Sequence, residues 1–228
     1  MKMLKTEWAK LEQMDFAEKR QYIWEYYKLH MLGLLAAAFI AGSLLNVWIF
    51  NPPKQEYIYF AWIGPLITQQ TLDDFAEELD VIVEDTTRYV VRASSYNMDG
   101  MDPQMVMALQ TRFFAQMQTR SLDVFVLNMY ELLEFSAGGF ILPIRDFVYL
   151  TEEMHPAVYE LIMERSVELT FYMDGQDFPT TEQMAVDLTG VAFFEKFGVR
   201  TENLFFAIVI NGERFERVAK ALEVIFDV

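Results

Sequence analysis

The sequence predicts an α/β protein, with an N-terminal transmembrane helix followed by an extracytoplasmic, mostly parallel β-sheet flanked by helices. Two observations carry that prediction. Residues 29–50 hold no ionisable side chain except His30 at their edge. From residue 57 onward, short aromatic and β-branched runs alternate with helical apolar stripes. A third observation bounds the function: 34 Asp and Glu against 18 Lys and Arg leave a net charge of −16. Binding a phosphate backbone takes clustered cations, so nucleic acid is excluded as a partner.

The first element is a cytoplasmic amphipathic juxtamembrane segment, residues 1–28. Trp8, Leu11, Phe16, Tyr22, Ile23 and Tyr26 recur at spacings near three and four, a helical pattern. That helix either lies at the membrane surface or extends the transmembrane helix inward. The transmembrane helix, residues 29–50, would span roughly 33 Å, enough for the hydrocarbon core of a bilayer. Small residues such as Gly33, Ala36, Ala37, Ala38, Ala41 and Gly42 dilute its hydrophobicity, so a buried core helix is the competing reading. A cleaved signal peptide fits less well, because the run is long and no small-x-small site follows it before Asn51.

Orientation follows from the flanks. Lys2, Lys5, Lys10, Lys19, Arg20 and Lys28 precede the run, whereas Lys54 is the only cation in residues 51–80. Cations resist translocation, which predicts a single-pass cell-membrane protein with a cytoplasmic N-terminus and an extracellular C-terminal domain. Tyr22, Trp24, Tyr26, Tyr27, Lys28 and His30 then form the inner interfacial collar against the lipid bilayer. Residues 51–56 are a linker stiffened by Pro52 and Pro53.

Residues 57–228 make the extracytoplasmic α/β domain. Residues 57–63 (YIYFAWI), 88–95 (RYVVRASS) and 123–127 (DVFVL) read as strands. Between them, Leu72, Phe75, Ala76 and Leu79 form one helical stripe, and Met105, Leu109, Phe113 and Met117 another. Asp102-Pro103 supplies an N-cap with proline at the first helical position. A helix over 131–136 ends at Gly138-Gly139, and further elements are a helix over 156–165 and strands over 167–173 and 204–210. The final helix gathers Phe215, Val218, Ala219, Leu222, Ile225 and Phe226 on one face. Strands joined through helices call for a parallel sheet.

The stretch 123–144 (DVFVLNMYELLEFSAGGFILPI) resembles the first lobe of extracellular solute-binding proteins, the receptor subunits of ABC importers. In that family an Asp-Val-aliphatic strand leads to a helix, then to a glycine turn and a Leu-Leu-Pro-Leu-like exit. Asp123-Val124-Phe125-Val126-Leu127 matches the strand, Leu132 and Leu133 the helix, and residues 139–144 the exit. Residues 205–214 (FFAIVINGER) with the helix behind them resemble the family's strand-to-helix return. Leu122 stands where the family commonly has proline, and the 60 or so residues before Leu204 are too few for a second lobe. The resemblance therefore implies a truncated lobe. The apolar run and its lead are similar to anchored proteins of Gram-positive bacteria.

Four aromatics, Tyr96, Tyr130, Phe135 and Tyr149, fall at strand ends or helix starts, the side where open α/β sheets bind ligands. They are the candidate ligand-binding residues, although aromatics also fill cores. Asn97, Asp99 and Asp102 alternate around Gly100 as calcium loops do, but position 108 is Ala where the closing acid is needed. Turn chemistry accounts for them equally. Asp174, Asp177, Glu182 and Asp187 lack any accompanying nucleophile motif, so solvated surface is the better reading. Met101, Met105, Met107 and Met117 suit core or interface filling better than metal. The chain has no cysteine and only His30 and His155. It shows no hydrolase, zinc-protease, phosphate-loop or dinucleotide motif, so no enzyme activity and no metal or cofactor are expected. The expected function is binding: an accessory or assembly component of a membrane complex, working with a membrane-protein partner or a second copy. The alternative is a tethered receptor for a small-molecule solute, sugar or peptide, serving an ABC transporter or sensor.

Overall fold

The computed structural model describes residues 15–50, 52–64, 66–97, 100–173 and 177–228. The chain divides into two compact units, Met1–Pro53 and Lys54–Val228.

In the first unit a helix, α1, runs over Phe16–Leu45 and passes into a π-helical turn, Asn46–Phe50. Asp15 caps its start by a reciprocal box with Glu18. Across this helix and turn, Tyr27–Phe50 is long and apolar enough to cross a membrane, and none of its most apolar window is buried. Proline at 52 and 53 has no N–H to donate, which ends the helix there.

The second unit is an α/β domain on a mixed seven-stranded sheet. Its strands are β1 (Gln55–Trp62), β2 (Tyr89–Ser95), β3 (Val124–Leu127), β4 (Ile141–Leu142), β5 (Ser166–Phe171), β6 (Thr180–Asp187) and β7 (Phe205–Val209). The spatial order is β2-β1-β3-β7-β6-β5, with β4 also on β7. The helices are α2 (Gln69–Leu79), α3 (Pro103–Gln118), α4 (Met129–Ala137), α5 (Ile144–Leu150), α6 (Pro156–Arg165), α7 (Ala192–Glu195) and α8 (Phe215–Phe226).

The expected mostly parallel sheet is corrected here: only β1 with β2 and β1 with β3 pair parallel. The pairs β3–β7, β4–β7, β5–β6 and β6–β7 are all antiparallel. The cause is the kind of connection. A parallel return needs a helix long enough to carry the chain back along the sheet, as α2 and α3 do, whereas the segment from β6 to β7 holds only the four-residue turn α7. The chain re-enters the sheet at the end it left by.

The parallel half is wound in both directions. The β1-to-β2 crossover moves one way, and the β2-to-β3 crossover returns past β1, so α2 and α3 cover opposite faces. Alternation along β1 shows it. Ile58, Phe60 and Trp62 join Leu72, Phe75 and Leu79 of α2 and Val218, Leu222 and Ile225 of α8 in one core cluster. Tyr59, Ala61 and Ile63 join Phe113 and Met117 of α3 and Leu132 of α4 in the other. The Phe75 ring meets Phe60 and Trp62 edge-on at 5.1 and 5.5 Å.

The α3 stripe is buried only in part. Phe113 and Met117 lie under the helix against the sheet, but Met105 is 59% exposed, because the N-terminal half of α3 extends past the sheet.

A candidate binding cleft at the strand switch point

The strands that diverge in this fold are β1 and β3. The chain leaves β1 toward β2 on one side and leaves β3 toward β7 on the other, which opens a crevice beyond their C-terminal ends. The backbone closes up to its edge: the Ile63 N–H donates to the Val126 carbonyl at 2.8 Å, and the Tyr96 N–H to that of Trp62 at 2.7 Å.

In that place lies a cleft of about 310 Å³, walled by Tyr96, Phe113, Phe114, Tyr130, Phe135 and Phe140. Its polar lining is Asn97, Gln110, Glu131 and Glu134. Gly64 forms the floor beside β1 with φ of +91°, a conformation side chains rarely adopt. A Cβ at this position would meet the Glu131 carboxylate at 2.6 Å, so the missing side chain is what admits Glu131 to the cleft. Asn97 holds the same turn from above, donating its amide to the Gly64 carbonyl.

The helix that presents Glu131 begins at the cleft, and its N-terminal donors are already used. Asn128 Oδ1 accepts from the Tyr130 N–H at 2.8 Å and from the Glu131 N–H at 3.3 Å, while Asn203 Oδ1 accepts from the Met129 N–H at 3.3 Å. The arrangement that binds phosphate at other helix starts is therefore closed at α4.

Behind the aromatic wall sits a polar network under α3. Arg112 Nη2 donates to Tyr59 Oη at 2.9 Å and to Ser94 Oγ at 3.0 Å. The Gln116 side chain bridges two phenols: its amide donates to Tyr59 Oη at 3.0 Å, and its carbonyl accepts from Tyr96 Oη. Burial pushes the Tyr59 hydroxyl up, but the hydrogen bonds from Ser94, Tyr96 and Gln116 and the Arg112 charge outweigh it, leaving Tyr59 below its ordinary value. Burial, reinforced by Tyr59, holds Tyr96 well above its own. Tyr96 is thus fixed in place by its hydroxyl, which donates to Gln116.

Of the four candidate aromatics, three converge here. Tyr130 is 72% exposed at the rim, Phe135 is half-buried in the wall, and Tyr96 is buried at 2% exposure. Tyr149, 86% exposed on α5, is not among the lining residues. Phe113, Phe114, Gln110, Glu131, Glu134 and Phe140 escaped the sequence reading, since only the tertiary fold brings α3, α4 and the turn after β1 together.

The other candidates have separate structural tasks. Asp102 caps α3 by accepting from the Gln104 N–H at 2.8 Å. Asp99 and Asp174 lie outside the described residues. Glu182 pairs with Arg145 at 3.5 Å, Asp187 accepts from the Thr189 N–H at 2.8 Å, and Asp177 is an exposed loop residue. His155 caps α6, its Nδ1 accepting from the Ala157 N–H at 3.3 Å. On α1, Trp24, Lys28 and His30 are exposed, and the His30 ring lies 6.1 Å from that of Tyr27. Tyr22 and Tyr26 lie on the same helix, with side chains outside the described residues.

By architecture the chain is an α/β domain on a mixed sheet flanked by helices, with one N-terminal helix long and apolar enough to cross a membrane. Comparison with protein-family models, curated proteins and solved structures finds no match.

Proposed function

We propose that this chain is a membrane-anchored, extracytoplasmic binding protein that receives a solute in the switch-point cleft. The observation that carries the reading is the convergence of Tyr130, Phe135 and Tyr96 on a concave site at the ends of β1 and β3. Support for the anchor comes from the apolar span Tyr27–Phe50, and for its orientation from six cations before it against Lys54 after it. The likeness to a solute-binding lobe draws support from the position of its segments: β3 and β7, which carry it, are paired neighbours.

Thermal unfolding of the full chain in maltoside micelles, screened against sugars, short peptides and amines, tests the cleft. Stabilisation by one class, abolished by Phe135→Ala, is the expected result. No stabilisation by any class overturns solute binding and leaves the accessory role. That role is the second reading, favoured by Met101, Met105, Met107 and Phe114, exposed apolar residues on and beside α3 that suit a membrane-protein partner or a second copy. Orientation is checked separately. Because the chain has no cysteine, Glu153→Cys gives one exposed label site, expected to react with an impermeant maleimide in intact cells. Labelling only after lysis would reverse the topology.

A further inference from the structure

We infer that the ligand of the switch-point cleft is a small organic cation, an amine carrying an apolar body. This rests on the binding role proposed above and adds the chemistry of what is bound. Three features of the cleft point the same way.

The first is the wall. Six aromatic rings from α3, α4 and the strand ends surround about 310 Å³, room for a compact apolar group and little more. Aromatic faces carry negative electrostatic potential, so they attract a cation as well as they shelter a hydrocarbon.

The second is the charge. The ionisable side chains among the described lining residues are the Glu131 and Glu134 carboxylates and the phenols of Tyr96 and Tyr130, with no Lys, Arg or His among them. Glu131 and Glu134 stand three residues apart on α4, hence on one helix face. Arg112 sits 5.6 Å above the Tyr96 ring but is hydrogen-bonded to Tyr59 and Ser94, outside the lining set. An anion entering the cleft would meet two like charges, and a cation two opposite ones.

The third is the hydrogen-bonding supply. The N–H groups at the start of α4 are taken by Asn128 and Asn203, so the cleft offers an anion no free helix terminus. The carboxylates and the Gln110 amide oxygen that line it are acceptors, which suit an ammonium that donates. Sugars would find ring faces here, but two carboxylates beside them favour a donor that is also charged.

A matched trio of probes isolates the charge: phenethylammonium, 2-phenylethanol and phenylacetate share one apolar body and differ in the head. Saturation-transfer NMR on the full chain in maltoside micelles, with empty micelles as blank, gives the three affinities. The ammonium should bind about tenfold more tightly than the alcohol, the advantage expected of cation–π and carboxylate contacts together. Phenylacetate should bind most weakly. In the double variant Glu131→Gln, Glu134→Gln, the ammonium should lose its advantage over the alcohol, while saturation transfer to the alcohol persists and reports an intact cleft. Equal or reversed affinities of ammonium and alcohol would overturn the inference and leave the binding role standing. No transfer to any of the three, unchanged in Tyr130→Ala, would overturn both.

Discussion

Asp123 leads into β3, and its buried carboxyl joins three elements. It is 1% exposed and accepts from the Tyr59 N–H at 2.9 Å and from Arg214 Nη1 at 2.7 Å, tying β1, β3 and the start of α8 together. Burial raises its carboxyl to about 6, while Arg214 pulls it down and falls short. Its folded value lies above the ordinary 3.8, so folding favours the protonated form. That contribution is complete below about pH 4 and is lost as pH rises through 6, a difference of about 3 kcal/mol by pH 7. Asp123→Asn keeps the shape without the titration. Denaturant unfolding followed through Trp62 should show wild type losing stability relative to the variant from pH 4.5 to 7. A constant difference across that range would mean the carboxyl is not shifted. The sequence shows Asp123 as a strand-leading acid; nothing in it shows Arg214, 91 positions on, as the partner.

Among the elements, α2 and α3 make an instructive pair, since both read as helices from apolar residues three and four apart. In α2 the stripe Leu72, Phe75, Ala76 and Leu79 is buried throughout, for the helix lies along the sheet. In α3 the same kind of stripe runs off the sheet, and periodicity has no means of showing where its cover ends. Phe113→Ala should cost about 3–5 kcal/mol, as loss of a buried ring does, whereas Met105→Ala should stay within about 0.5 kcal/mol. Denaturation of the two variants measures the contrast, and equal costs would mean that α3 is covered along its whole length. Strand β6 was not legible at all. Its outer half, Thr180, Thr181, Glu182 and Gln183, is polar and only Met184, Ala185 and Val186 are buried, so neither alternation nor an apolar run marks it. The pairing of β5 with β6 across a hairpin supplies what the residues alone do not announce.

For the whole molecule, the two units differ in the solvent their residues call for. The span Tyr27–Phe50 is apolar and unburied, and Lys54–Val228 closes cores on both faces of its own sheet. A protease site inserted between Pro53 and Lys54 should release the second unit into the aqueous phase with the Trp62 emission of a buried ring; a fragment that stays with the micelle would show that this unit binds the membrane itself. The two ends of β1 also differ. Lys54, Arg214 and Arg217 line a basin at its start, where the linker joins, while Glu131 and Glu134 line the cleft beyond its end. Eight residues of strand separate them by about 26 Å, so the basin and the cleft lie at opposite ends of β1.

The apolar span, the three parallel strands with their crossover helices and the acidic balance were all readable along the chain, because each is set by composition or by short-range period. Which strands run antiparallel, how far α3 is covered, and the meeting of Tyr130, Phe135, Glu131 and Gly64 in one cleft were decided only by the tertiary structure. They depend on where the chain crosses the sheet, and that is a matter of contacts between residues far apart in sequence.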